Sequence, residues 1–166
     1  MKKLLYSSPF GNLILVAGHG KLLYCNWNTA ECRTKQTVIE SLFGEEEEHS
    51  EDKETLEETC QQLDEYFAGK RNIFDLSLEF SGTEFRKKVW TNIYEICYGE
   101  TISYKELAET SGVPKGYRAV AQACGANPIS IIVPCHRILA SNSNLGGYTG
   151  GIDKKIALLN LEQKFR

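Results

Sequence analysis

The segment from Ile131 to Arg137 reads Ile-Ile-Val-Pro-Cys-His-Arg, an apolar run that ends without a gap in three chemically capable side chains. A thiol beside an imidazole and a guanidinium would have its thiolate accessible near neutral pH, so Cys135 is a candidate nucleophile. Pro134 fixes the backbone just before it. A buried cysteine is more often an inert core side chain, but the abrupt end of the apolar run in Cys135, His136 and Arg137 favours chemistry. In an extended strand, adjacent side chains point to opposite faces. His136 can therefore serve Cys135 only if the chain turns here, or if a water relays the proton.

A further partner is expected from the last helix, Asp153 to Lys164. Its stripe of Ile156, Leu158, Leu159 and Glu162 puts a carboxylate beside buried leucines, where it needs a partner. His136 is the candidate, giving a nucleophile, base and orienter series of Cys135, His136 and Glu162. A solvated glutamate near the end of a helix is the competing reading. Between these segments lies Gly146-Gly147-Tyr148-Thr149-Gly150-Gly151. It lacks the lysine and spacing of a phosphate loop. Its glycines would let backbone amides and the Tyr148 ring approach a flat ligand closely.

These groups have to be positioned by the elements around them. Leu13–Ala17 and Leu22–Trp27 flank Gly18-His19-Gly20-Lys21 as a β-hairpin, and residues 45–52 form a solvated acidic loop. Glu54–Ala68 is a helix stopped by Gly69, and Phe74–Phe80 alternates as a half-buried strand. Ser81-Gly82 marks a boundary. A helix follows from Thr83 to Cys97 with Phe85, Val89, Ile93 and Ile96 on one stripe, closed by Gly99. Ser103-Tyr104-Lys105-Glu106 is a capping box whose helix runs to Ser111 and stops at Gly112. Pro114 is well placed near the start of the next helix, which carries Arg118 to Cys124 and ends at Gly125. Ile129–Val133 is expected to be a short buried strand delivering Pro134 and Cys135.

Two short helices around a glycine turn make a helix-turn-helix. Helix pairs are common, so core packing alone would explain them, but the second helix is unusually smooth. Val120 and Cys124 face inward, while Ala119, Ala121, Ala123 and Ala126 leave only Arg118 and Gln122 as long side chains. A major-groove reader would carry several polar side chains. The minor groove is about 6 Å wide and a helix about 10–12 Å across, so only a smooth helix approaches a widened minor groove closely. One arginine could then reach into the base stack. The implied mode is sequence-tolerant DNA binding.

The 166 residues could form one domain or two small ones, and 42% apolar with 25% charged residues is a globular composition. Residues 1–79 hold 8 Lys and Arg against 15 Asp and Glu, a net −7; residues 80–166 hold 11 against 7, a net +4. A basic C-terminal half is compatible with a DNA-binding module. Six scattered cysteines with no CxxC pair read as reduced thiols in the cytosol, and none shows zinc-ligand spacing. No run is long enough for a membrane span, and Lys2 and Lys3 precede an apolar patch too short for a signal peptide.

From Gly82 to Glu162 the chain resembles the O6-alkylguanine-DNA alkyltransferases. The resemblance is carried by Thr101-Ile-Ser-Tyr104, Tyr117-Arg118-Ala-Val120, Asn127-Pro128, Ile131-Ile-Val-Pro-Cys135-His-Arg137 and Gly147-Tyr148. It implies a two-domain α/β architecture. Residues 1–80 would be a small α/β domain, an antiparallel sheet with a helix, ribonuclease H-like. Residues 81–166 would be a mostly helical, winged-helix-like DNA-binding domain.

The resemblance also implies roles. Cys135 would accept the alkyl group, activated by His136 through a water and by Glu162. Tyr104 would donate to the guanine and help rotate the nucleotide outward, Arg118 would fill the gap, and Asn127 would brace the turn to the active site. Ala119, Ala121 and Gln122 would face DNA. Tyr148, Thr149, Ile138 and Pro134 would line the pocket, and backbone at Cys135 and Ile138 would read the base. Ala121 stands where many relatives have glycine, and Ile138 replaces a usual valine.

The implied reaction is a single irreversible transfer from O6-alkylguanine, extending to O4-alkylthymine, in double-stranded DNA approached from the minor groove. It would need no cofactor or metal and would be performed by a monomer in the cytoplasm, or in the nucleus of a eukaryote. A non-catalytic damage binder would use the same pocket but lack the acceptor cysteine. A cysteine hydrolase would turn over repeatedly, and a winged-helix regulator would need a sequence-reading helix.

Overall fold

The structure is a computed structural model that describes residues 1–30, 32, 50–140 and 144–166. It divides into two compact units, Met1–Ser81 and Gly82–Arg166.

In the first unit, β1 (Lys2–Ser8), β2 (Gly11–Gly18) and β3 (Lys21–Trp27) form an antiparallel sheet in sequential order. The expected hairpin is β2–β3, turned by His19 and Gly20, both at positive φ. β1 goes beyond the sequence expectation, which weighed Lys2, Lys3 and the residues after them only as a leader. Its alternating exposure, with Tyr6 turned inward, is that of a sheet strand with one solvated face.

Helix α1 (Ser50–Phe67) packs on all three strands through Leu56, Leu63 and Tyr66. It begins earlier than expected and absorbs the end of the expected acidic loop; residues 45–49 lie outside the described residues. Asp52 is fully buried rather than solvated, accepting from Gly20 N at 2.9 Å and pairing with the Met1 amino group at 3.3 Å. The strand expected over 74–80 is reduced to one parallel bridge to Leu22, with Leu22 N to Ser77 O at 2.8 Å and Glu79 N to Leu22 O at 3.0 Å. Both backbone polar groups of Asp75 are taken by the Gln62 amide, at 2.7 and 2.8 Å, so they are not available to a longer ladder.

The second unit begins with α2 (Glu84–Tyr94), capped by Thr83 and buried on Val89, Trp90 and Ile93. It stops short of Cys97, and Phe85 and Ile96 are only partly buried. The chain then turns at Gly99, where φ is +73°. β4 (Ile102–Ser103) pairs in parallel with β5 (Ile138–Leu139).

Helix α3 (Tyr104–Thr110) carries the expected capping box: Ser103 N donates to Glu106 Oε2 at 2.7 Å and Glu106 N to Ser103 Oγ at 3.1 Å. Helix α4 (Tyr117–Gly125) starts three residues beyond Pro114. The proline instead occupies the corner of a turn closed by Gly116 N to Val113 O at 2.6 Å.

Residues 129–133 are buried as expected but are not a strand. Asn127 Oδ1 accepts from Ile129 N at 3.0 Å, its Nδ2 donates to Val133 O at 2.8 Å, and Val133 N closes on Ile129 O at 2.9 Å. Those bonds fold the segment into a turn that holds Ile131 at φ +75°. The left-handed region is costly for a β-branched side chain, and packing on every side sustains it here. The last helix is α5 (Ile152–Lys164).

Candidate active site

The turn braced by Asn127 delivers Pro134 into a single 3-10 turn over Cys135–Arg137. This is the bend that the alternation argument demanded if neighbouring Cys135 and His136 were to act together. Cys135 is 7% exposed. Burial raises its thiol pKa, opposed by hydrogen bonds from the Asn127 and Ser130 side chains and by the Lys155 ammonium. The expectation of a thiolate stabilised beside a guanidinium is thus corrected. Arg137 is committed elsewhere, and the cation that acts on the thiol is Lys155.

His136 and Glu162, 26 positions apart, meet in the core, with Nε2 at 2.8 Å from Oε1. Arg137 clamps the same carboxylate, Nε at 2.9 Å from Oε2 and a terminal nitrogen at 2.8 Å from Oε1, while its other terminal nitrogen donates to Ile96 O at 2.5 Å. Gly99 N donates to Oε2 at 3.0 Å. Burial pushes the Glu162 carboxyl up, but its bonds with His136 and Arg137 outweigh this and hold it far below the usual carboxylate range. Burial pulls the His136 imidazole below its ordinary value, against the pull of Glu162. Arginine keeps its charge, so the carboxylate is neutralised by Arg137 and the imidazole can remain uncharged. An ionised carboxylate only accepts, so Nε2 carries the proton and Nδ1 presents a lone pair. Nδ1 has no hydrogen-bond partner among the described residues.

Cys135 opens on a recess of about 80 Å³ lined by Tyr104, Ala121, Cys124, Gly125, Gly147, Tyr148 and Thr149. Tyr104 is the first residue of α3, placed by the capping box. Burial, with Cys124 and Cys135 nearby, raises its phenol to about 12, which keeps it a neutral donor at physiological pH. Thr149 Oγ1 ties the glycine-rich loop to Gly125 O at 3.2 Å. A wider groove of about 390 Å³ is bordered by Tyr104, Lys105, Tyr117, Arg118, Ala121 and Ala140. Arg118, Ala119 and Gln122 are exposed on α4, Ala121 is half-buried, and Val120 and Cys124 turn inward as expected.

Cys135, Tyr104, Ala121, Tyr148 and Thr149 are therefore brought together, with the His136–Glu162 pair behind them. Pro134 and Ile138, expected at the pocket, are buried and line neither cavity. Ile138 is held in β5, and its carbonyl accepts from Lys155 Nζ at 2.5 Å. Asn127 acts on the backbone turn, as expected of a brace.

The sequence reading missed Lys155. The residue is fully buried, and besides Ile138 its ammonium bonds the carbonyls of Leu145 and, at 3.4 Å, Gly147, so it pins the recess loop to β5. Burial lowers its pKa, with Cys135 and Cys124 opposing. A signal existed, because Lys155, Leu158 and Glu162 lie at i, i+3 and i+7 on one helical stripe. These three are the buried residues of α5, whereas Ile156, expected on that stripe, is exposed. Among the described residues no group of three or more potential metal ligands occurs, and no helix is long and apolar enough to cross a membrane.

Two family models match the chain. Residues 1–80 match the ribonuclease-like domain, and residues 84–164 the DNA-binding domain, of 6-O-methylguanine DNA methyltransferase. The chain is 41% identical over 158 residues to the methylated-DNA–protein-cysteine methyltransferase of Methanosarcina acetivorans, covering 95% of this chain and 96% of that one. It is 44% identical over 156 residues to the Mycobacterium leprae protein of the same name, covering 94% and 88%. It is also similar to the crystal structure of Mycobacterium tuberculosis OGT in complex with DNA. The TM-score is 0.79 at 39% identity, over 97% of this chain and 92% of that one. Matched along both units, and with the recess, the Cys135 thiol and the buried histidine–glutamate pair in place, the chain belongs to the 6-O-methylguanine DNA methyltransferase family.

Proposed function

We propose that this protein repairs O6-alkylguanine in double-stranded DNA by taking the alkyl group onto Cys135, once per molecule. The reading rests above all on Cys135 lining a recess beside a neutral tyrosine, with a buried base on the next residue and its carboxylate orienter supplied by α5. The smooth face of α4 approaches the minor groove, Tyr104 and Arg118 carry the damaged nucleotide out of the stack, and Arg118 occupies the gap. Unstacking costs roughly a few kcal/mol and less for a damaged base. Ala119, Ala121 and Gln122 lie against the DNA. Tyr148 and Thr149 enclose the alkyl group.

His136 Nδ1, through one water, accepts the Cys135 proton, and Glu162, held in place by Arg137, stabilises the imidazolium that forms. The sulfur attacks the alkyl carbon in line. An S–C bond forms as the C–O6 bond breaks, and the leaving guanine anion is protonated with the help of the Tyr104 hydroxyl. The balance closes without a cofactor. A thioether is not hydrolysed by such a site, so the thiol is consumed. A pure damage binder would have no use for a thiol at this position. O4-alkylthymine offers the same alkyl–oxygen bond and is a second substrate.

Incubation with duplex DNA containing O6-methylguanine, followed by intact mass measurement, should show a gain of one methyl group that is absent in Cys135→Ala. Either no gain or repeated turnover would overturn the proposal.

A further inference from the structure

We infer that Tyr117 is a positioning residue for Arg118, holding the guanidinium in place before DNA arrives; this rests on the role proposed for Arg118. Tyr117 is the first residue of α4 and one of the few large apolar side chains left in solvent, at 51% exposure. The guanidinium carbon of Arg118 lies over its ring, 6.0 Å from the centroid. Both residues border the wide groove with Tyr104, while Tyr117 is not part of the recess around Cys135.

The ring has a fixed base. Gly116 precedes it in the turn closed on Val113, and a Cβ at Gly116 would meet Val113 O at 3.0 Å. A long exposed arginine loses rotamer freedom when it inserts into a base stack. A cation held on an aromatic face loses part of that freedom beforehand, through attraction to the ring quadrupole. The adjoining smooth surface of α4 offers Arg118 no comparable shelf, since its neighbours Ala119 and Ala121 carry only methyl groups.

The test compares single-turnover repair of duplex O6-methylguanine with the reaction of free O6-benzylguanine, expressed as a ratio. Tyr117→Ala and Tyr117→Leu should lower the ratio about two- to fivefold, the range expected of an exposed cation–π contact. Tyr117→Phe, which keeps the ring, should restore it. In an Arg118→Ala background, Tyr117→Ala should lower the ratio no further. The inference is overturned if Tyr117→Ala keeps the wild-type ratio, if leucine serves as well as phenylalanine, or if the loss persists undiminished without Arg118. A wild-type protein that takes no methyl from duplex DNA would overturn the functional reading and this inference with it, a result distinct from the other three.

Discussion

Glu162 carries three jobs on one carboxylate: it orients His136, neutralises Arg137 and caps Gly99 N. The acid response of the protein follows from this arrangement. The folded pKa of His136 lies below 6.5, so its contribution to stability is complete above that value and fades as pH falls beneath it. The folded pKa of Glu162 lies well below 4.5, so its contribution is complete above 4.5 and is lost as pH falls through the lower, folded value. Both groups act in the same direction. Urea midpoints should therefore be steady at neutral pH and decline in two stages, one starting near 6.5 and one below 4.5. His136→Asn should remove the first stage and leave the second.

At the scale of elements, α3 matters because its first residue is Tyr104 and its N-terminus is held by the reciprocal Ser103–Glu106 bonds. Hydrogen bonds to Ser103 hold the Glu106 carboxyl below its usual range, which keeps it an acceptor at neutral pH. Ser103→Ala removes the bond from Glu106 N and should cost about 0.5–2 kcal/mol, read as a lower urea midpoint with an unchanged slope. The same change should slow methyl transfer, because the phenol hydroxyl at the recess is aimed by the first turn of this helix. A substitution that left both stability and rate untouched would mean that β4–β5 pairing alone places Tyr104.

Across the whole molecule, charge is divided between the units: a net −7 up to Ser81 and +4 after it, since residues 80 and 81 carry none. A modest surplus supports few phosphate contacts. Lys105 and Arg118 are the cations that border the groove. The log–log slope of duplex affinity against salt should therefore be about −2, measurable by fluorescence anisotropy of an undamaged duplex. A flat response would remove phosphate contacts from the binding account, and a much steeper one would require cations from outside this groove.

Local chemistry was legible in the residues themselves. The capping box at Ser103, the smooth face of α4 and the Cys135-His136 pair are read from neighbours in sequence, because caps, helix faces and turns are short-range events. Glu162 was anticipated because a carboxylate among leucines calls for a partner wherever it folds. Tertiary structure decided the rest. Residue types alone could not say that Arg137 would turn from the thiol to Glu162, or that a buried Lys155 would tie the recess loop to β5. Ile129–Val133 has the composition of a strand, and the Asn127 side chain bridging its ends, with Val133 N closing on Ile129 O, makes it a turn. Phe74–Phe80 has the alternation of a strand, and the Gln62 amide takes the Asp75 backbone that a longer ladder would need. In each case the competing partner lies on another element or across a turn, and the energy of a buried polar group depends on which partner packing brings within reach.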